Sequence, residues 1–226
     1  MTETDWQTCT DPQAMLEFLR ESGRATDRKL RLFAVACCRR IWPLLLDERL
    51  RRAVEVAERH ADNQADTVEL ATIRAEAATS VDEAFGHSKA LGFASFSAAK
   101  AADQKVRYAA EARGPIEHAA ALAALPDVSA GEEARKAVKI QHCRLLRDIF
   151  GSPVGPPLRF NASWHTPNAV ALATAMYEQR DFSQMPALAD ALEAAGCADA
   201  NILGHCRSGQ EHWRGCWVID VILGRE

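Results

Sequence analysis

The run K-L-R-L-F-A-V-A-C-C-R-R-I-W, Lys29 to Trp42, constrains the fold more than any other stretch of the chain. It is too long for a strand and apolar on nearly every side: Leu30, Leu32, Phe33, Ala34, Val35, Ala36, Cys37, Cys38, Ile41 and Trp42 cannot share one stripe. A segment of this kind is a helix wrapped by other helices. Arg28, Arg31, Arg39 and Arg40 interrupt it, and their stems are expected to cross apolar surface while the guanidinium groups reach water. Pro43 must kink or end the helix, because proline removes a ladder donor and clashes with the preceding turn.

The rest of the chain repeats the helical period. Asp11-Pro12 followed by Met15, Leu16, Phe18 and Leu19 reads as an N-cap, a first-turn proline and an apolar face, with Gly23 as the stop. Asp47-Glu48 starts a helix carrying Leu50, Ala53, Val54 and Ala57, and a further helix is predicted from Asp66 to Phe85. Alanine-rich helices are expected over Ser95 to Ala112 and Ile116 to Leu125, separated by Gly114-Pro115, and another over Gly131 to Phe150. No period-two strand pattern occurs. The fold class is therefore all-α, a multi-helix bundle with a small C-terminal helical subdomain.

Gly151-Ser-Pro-Val-Gly-Pro-Pro157 holds three prolines and two glycines in seven residues, which excludes helix and favours an extended connection. It divides the chain into a main bundle at 1–150, a linker at 151–165 and a C-terminal subdomain at 166–226. Helices are expected there from Thr166-Pro167 to Gln179, from Phe182 to Ala195 before Gly196, from Asp199 to Arg207 and from His212 to Leu223. A helix over His212 to Leu223 places Trp213 and Trp217 on one face, suited to docking the tail on the bundle. Such a tail, about sixty residues, is marginal on its own core, so docking or a staple is expected to support it.

Composition narrows the function. A net charge of -4 gives no global pull toward nucleic acid or an anionic membrane. The opening M-T-E-T-D-W-Q lacks a secretory pattern and no run approaches bilayer length, so a cytoplasmic location is expected. Seven scattered cysteines, two of them adjacent, are not a disulfide framework and read as reduced, mostly buried thiols. From Arg20 to Arg59 the chain has eleven Lys or Arg against six Asp or Glu. This excess can hold phosphates only if the arginines share a face; arginines paired with local carboxylates such as Glu48, Glu55 and Glu58 is the favoured alternative. No phosphate loop, nucleophile elbow, dinucleotide fingerprint or H-E-x-x-H pair is present, and the buried Cys37, Cys38 and His142-Cys143 form no dyad, which points away from an enzyme.

The one concentration of soft metal ligands lies in the tail. Cys197, His205, His212 and Cys216, with Cys206 as a substitute for His205, can supply the four ligands of a tetrahedral zinc site. The competing reading makes the cysteines small buried hydrophobes and the histidines surface or capping residues.

The segments C-T-D-P-Q-A-M-L-E-F-L from Cys9, D-R-K-L-R-L-F-A-V-A-C-C-R-R-I-W from Asp27, L-L-R-D-I-F-G from Leu145, L-A-D-A-L-E-A-A-G-C from Leu188 and R-G-C-W-V-I-D from Arg214 resemble a family of paralogous helical proteins of planctomycete bacteria. The resemblance covers both ends of the chain. It implies a bacterial helical protein with Cys197, His205, His212 and Cys216 as a recurring set, and it favours His205 over Cys206. The chain departs from the family's proline-glycine loop before His212, having Ser208-Gly-Gln-Glu211. No activity is established for the family. A large paralogous set without catalytic signatures suits a non-catalytic protein-interaction or scaffolding module with a protein partner, which is the leading expectation. A zinc-binding protein is the alternative, and anion or nucleic-acid binding through the N-terminal arginines the third.

Overall fold

The structure, a computed structural model, describes residues 1–155 and 160–225, apart from the side chain of Tyr108. It is an all-α multi-helix bundle with no strand among the described residues. The helices are α1 (Glu3–Thr8), α2 (Pro12–Glu21), α3 (Asp27–Arg40), α4 (Glu48–Ala61), α5 (Thr67–His87), α6 (Lys89–Ala101), α7 (Val106–Ala109), α8 (Arg113–Ala123) and α9 (Val128–Phe150), then α10 (Pro167–Gln179), α11 (Met185–Ala194), α12 (Ala200–Arg207) and α13 (Trp217–Leu223). No helix is long and apolar enough to cross a membrane among the described residues.

Local chemistry sets most of these boundaries. The side chains of Thr26, Asp47, Asp66, Asp127, Thr166 and Asp199 each accept a backbone N–H of the following first turn, satisfying donors the helix cannot pair itself. α3 is the central element, and Leu32, Phe33, Ala34, Cys37 and Cys38 are almost wholly buried. It ends at Arg40, and Pro43 sits in a 3-10 turn over Trp42–Leu44. α5, α6 and α8 pack through small residues, among them Ala77, Ala94, Ala98, Ala101 and Ala119, which let helix axes come close.

Four expectations need correction. Arg31 does not reach water: it is buried, and its Nη1 donates to the carbonyls of Ala101 at 3.0 Å and Asp103 at 2.8 Å. The helix expected over Ser95 to Ala112 breaks after Ala101, where Asp103 closes a turn. Gly114-Pro115 lies inside the first turn of α8 rather than between helices, because a first-turn proline loses no intrahelical bond. The last helix starts at Trp217, not His212. Gly215 adopts φ 92, a left-handed conformation that interrupts any helix running through it. Trp213 and Trp217 therefore do not share a helical face: Trp213 packs against the bundle core and Trp217 against the tail core.

Among the described residues, buried apolar side chains form two clusters. One runs from Trp6 to Phe150 and the other from Ala169 to Ile222. Polar networks join them. Arg28 grips Asp220 with both terminal nitrogens, at 2.6 and 3.1 Å, and its Nε donates to Asp62 at 3.0 Å. Tyr177 Oη accepts from Arg28 at 2.8 Å and donates to Asp62 at 2.6 Å. Burial opposes the charge most strongly, but the hydrogen bonds and charge of Asp220 together with Tyr177 and Asp62 outweigh it and hold the Arg28 guanidinium more firmly protonated than usual.

The end of α9 fastens both ends of the chain. Trp6 donates its indole N–H to the Gly151 carbonyl at 2.8 Å, and Arg147 donates to the carbonyls of Trp6 and Cys9. Gly151 has φ 64 and ψ -141, and a Cβ there would stand 3.0 Å from Trp217 Cγ. That conformation is open essentially to glycine alone. Gly151→Ala is expected to destabilise the fold by roughly 1–3 kcal/mol, measured as a lower midpoint in chemical denaturation.

Candidate metal centre

The end of α9 also carries Asp148, a buried carboxylate that faces the tail. Negative charge near a helix C-terminus opposes the helix dipole, so a buried Asp there requires compensation. The tail provides it. His212 Nδ1 lies 2.7 Å from Asp148 Oδ1, His205 Nε2 lies 3.3 Å from the same oxygen, and the Trp213 backbone N–H donates to Oδ2 at 2.9 Å. Cys216 Sγ completes the group, 3.2 Å from His205 Nε2 and 3.9 Å from His212 Nδ1.

Each side chain is placed by its local backbone. His205 lies in the last turn of α12, which Asp199 starts with a double cap. His212 follows the 208–211 loop, where Gly209 turns with φ 67. Cys216 is the N-cap residue of α13, placed there by the left-handed turn at Gly215, and a Cβ on Gly215 would stand 2.9 Å from Leu32 Cδ1 of the bundle. The tail's ligands are therefore registered against α3 and α9 before any ion is considered.

Asp148, His205, His212 and Cys216 have their ligand atoms within 4.8 Å of one another, and such a group can hold a metal ion. A tetrahedral ion with M–N and M–O near 2.0–2.1 Å and M–S near 2.3 Å separates its ligand atoms by about 3.3–3.6 Å. Four of the spacings, 2.7, 3.2, 3.3 and 3.9 Å, bracket that value, in a group whose ligand atoms all lie within 4.8 Å. Burial pushes the Asp148 carboxyl up, but the hydrogen bonds of His205 and His212 outweigh it and leave it below the usual carboxylate range. Burial, reinforced by Asp148, raises the Cys216 thiol well above its ordinary value. Without a cation the sulfur keeps its proton, and a bound cation displaces it.

Three of the four ligands expected from the sequence, His205, His212 and Cys216, are brought together. Cys197 is not among them. It follows the cap of α11, buried in the tail core beside Cys206, and Asp148 stands in the fourth position. Cys206 is also outside the group; burial first and Cys197 second push its thiol up to about 12. Cys197→Ala is accordingly expected to leave metal stoichiometry unchanged while costing about 1 kcal/mol through lost packing, checked by elemental analysis and thermal unfolding. Asp148 lies 57 residues from His205 in sequence, so ligand spacing within the tail could not reveal it. Its signal was the carboxylate in the apolar phase of L-L-R-D-I-F-G.

The arginines at the start of the chain are engaged internally. Arg39 pairs with Glu58, Arg40 with Glu211, Arg49 with Asp47 and Glu83, Arg52 with Glu76 and Arg59 with Glu69. Comparison of the chain with protein-family models, with curated proteins and with solved structures finds no match in any of the three.

Proposed function

We propose that this chain is a zinc-binding, non-catalytic module in which the ion clamps the C-terminal helical unit to the main bundle. The observation that supports it is the four-atom cage itself: one carboxylate from α9 and two imidazoles and a thiol from the tail, all within 4.8 Å. A thiol, two imidazoles and one carboxylate favour zinc over magnesium or calcium, which take oxygen ligands in larger numbers. Four protein ligands fill a tetrahedron, and a filled tetrahedron suits a structural ion rather than a catalytic one. A short tail with its own small core gains from such a staple.

The test is elemental analysis of untagged protein, with cobalt substitution to report coordination. One zinc per chain and a four-coordinate cobalt spectrum with a thiolate charge-transfer band are expected. Substoichiometric metal that Cys216→Ala leaves unaltered would refute the reading.

A further inference from the structure

His205 is less enclosed than its neighbours in the cage: its side chain is 16% exposed, against 5% for Asp148 and 3% for His212. It stands in the last turn of α12, close to the helix end at Arg207, and helix ends fray. The outer torsion of a histidine side chain is broad and roughly two-fold, so the backbone alone does not fix the ring. Orientation matters here. Turning the ring over would put the carbon Cε1 where Nε2 now lies 3.3 Å from Asp148 Oδ1 and 3.2 Å from Cys216 Sγ.

Metal-bound imidazoles are usually oriented by a hydrogen bond at the second ring nitrogen. At His205 the described residues supply aromatic contacts. His212, itself a candidate ligand, meets the ring edge-on at 4.8 Å between centroids, and the Trp217 indole lies at 5.1 Å with an interplanar angle of 53°. Trp217 is braced in turn. A Cβ on Gly151 would stand 3.0 Å from Trp217 Cγ and 3.1 Å from Cδ2, so the indole lies directly against the Gly151 backbone, whose carbonyl accepts the Trp6 indole N–H at 2.8 Å. Trp217 also follows Cys216 in the chain, and the left-handed turn at Gly215 delivers thiol and indole together.

We propose that Trp217 is the positioning residue of the metal centre: braced on Gly151, its indole holds the His205 imidazole with Nε2 turned toward Asp148 and Cys216 before an ion arrives. Trp217 supplies no ligand atom and acts through His205. The ring's rotational freedom is then lost on folding rather than on metal binding, which strengthens binding. This inference rests on the zinc reading and deepens it, by naming what sets the geometry of the most exposed imidazole ligand.

Cobalt titration of the untagged full chain, stripped with chelator beforehand, tests it. Trp217→Leu keeps an apolar side chain and loses the flat ring, and it is expected to retain its far-ultraviolet circular dichroism and the thiolate charge-transfer band from Cys216. Its cobalt affinity is expected to fall about tenfold or more, while Trp217→Phe, which restores a ring, stays within about threefold of the parent. A role in packing alone would lower the unfolding temperature and leave cobalt affinity unchanged. A second measurement needs no variant: nuclear Overhauser contacts between the His205 ring protons and the Trp217 indole are expected in the stripped parent protein and persist after zinc is added. A parent chain that binds no cobalt refutes the zinc reading and this inference with it. Cobalt binding by the parent with equal affinity in Trp217→Leu, with Trp217→Phe no better than Trp217→Leu, or with ring contacts that form only after zinc is added, overturns the positioning role alone.

Discussion

Asp148→Asn is expected to abolish zinc retention and lower the unfolding temperature of the zinc-loaded protein by roughly 8–16 °C. The substitution is nearly isosteric, and its amide oxygen can still accept the Trp213 N–H that Asp148 accepts at 2.9 Å. What it removes is the anionic ligand. An ion that binds only the folded state stabilises it by about 4 kcal/mol when free zinc is a thousand times its dissociation constant. For a chain of this size each kcal/mol moves the midpoint by roughly 2–4 °C. A chelator separates the ion from the local hydrogen bonds: with zinc removed, parent and variant are expected to unfold within a few degrees of each other. A gap that persists undiminished in chelator would assign the effect to Asp148 as a hydrogen-bond acceptor and leave no role for the ion. Differential scanning calorimetry with and without chelator reads all four states.

Arg28→Met is expected to cost about 3–5 kcal/mol, because it strands charge in the interior. The side chains of Asp62 and Asp220 are fully buried, and Arg28 is bonded to both. Whole-domain stabilities are only about 5–15 kcal/mol, so a loss of this size moves the denaturation midpoint far toward zero. Arg28→Lys keeps the charge but not the two-pronged grip on Asp220, and should fall between parent and Arg28→Met. The informative variant is Arg28→Met with Asp220→Leu. It removes both ends of the strongest pair, and Asp62 keeps the Tyr177 hydroxyl at 2.6 Å and Arg225 at 3.6 Å. Recovery of more than half the loss is expected in urea denaturation. No recovery would locate the cost in lost packing by the arginine stem.

The sequence made the helices legible because their starts are written locally. Thr26, Asp47, Asp66, Thr166 and Asp199 stand where the caps form, and the apolar face of α3 could be read before any contact was known. Where reading failed, the deciding interaction was hidden by scale. α1 is six residues long, too short for periodicity, although Thr2 and Asp5 form a capping box that announces it. Whether Trp217 or His212 began the last helix depended on the sign of φ at Gly215, which glycine leaves undetermined. The candidate site was half legible. His205, His212 and Cys216 lie within twelve residues and form one cluster, whereas Asp148 joins them only through tertiary packing. Cys197 was as plausible by spacing, but a thiol that follows a helix cap and fills a core is indistinguishable in one dimension from a ligand.

The fastening of both chain ends at the close of α9 also orders events in time. The bond from Trp6 to Gly151 spans 145 residues. During synthesis the helix that carries Trp6 therefore waits, its large indole without its final acceptor, until Gly151 has been made. The cage around Asp148 comes later still, since it also needs Cys216, which follows Gly151 in the chain. A ribosome-bound chain stopped before residue 151 lacks the seat for its own beginning, and one stopped before residue 216 lacks the cage for its end.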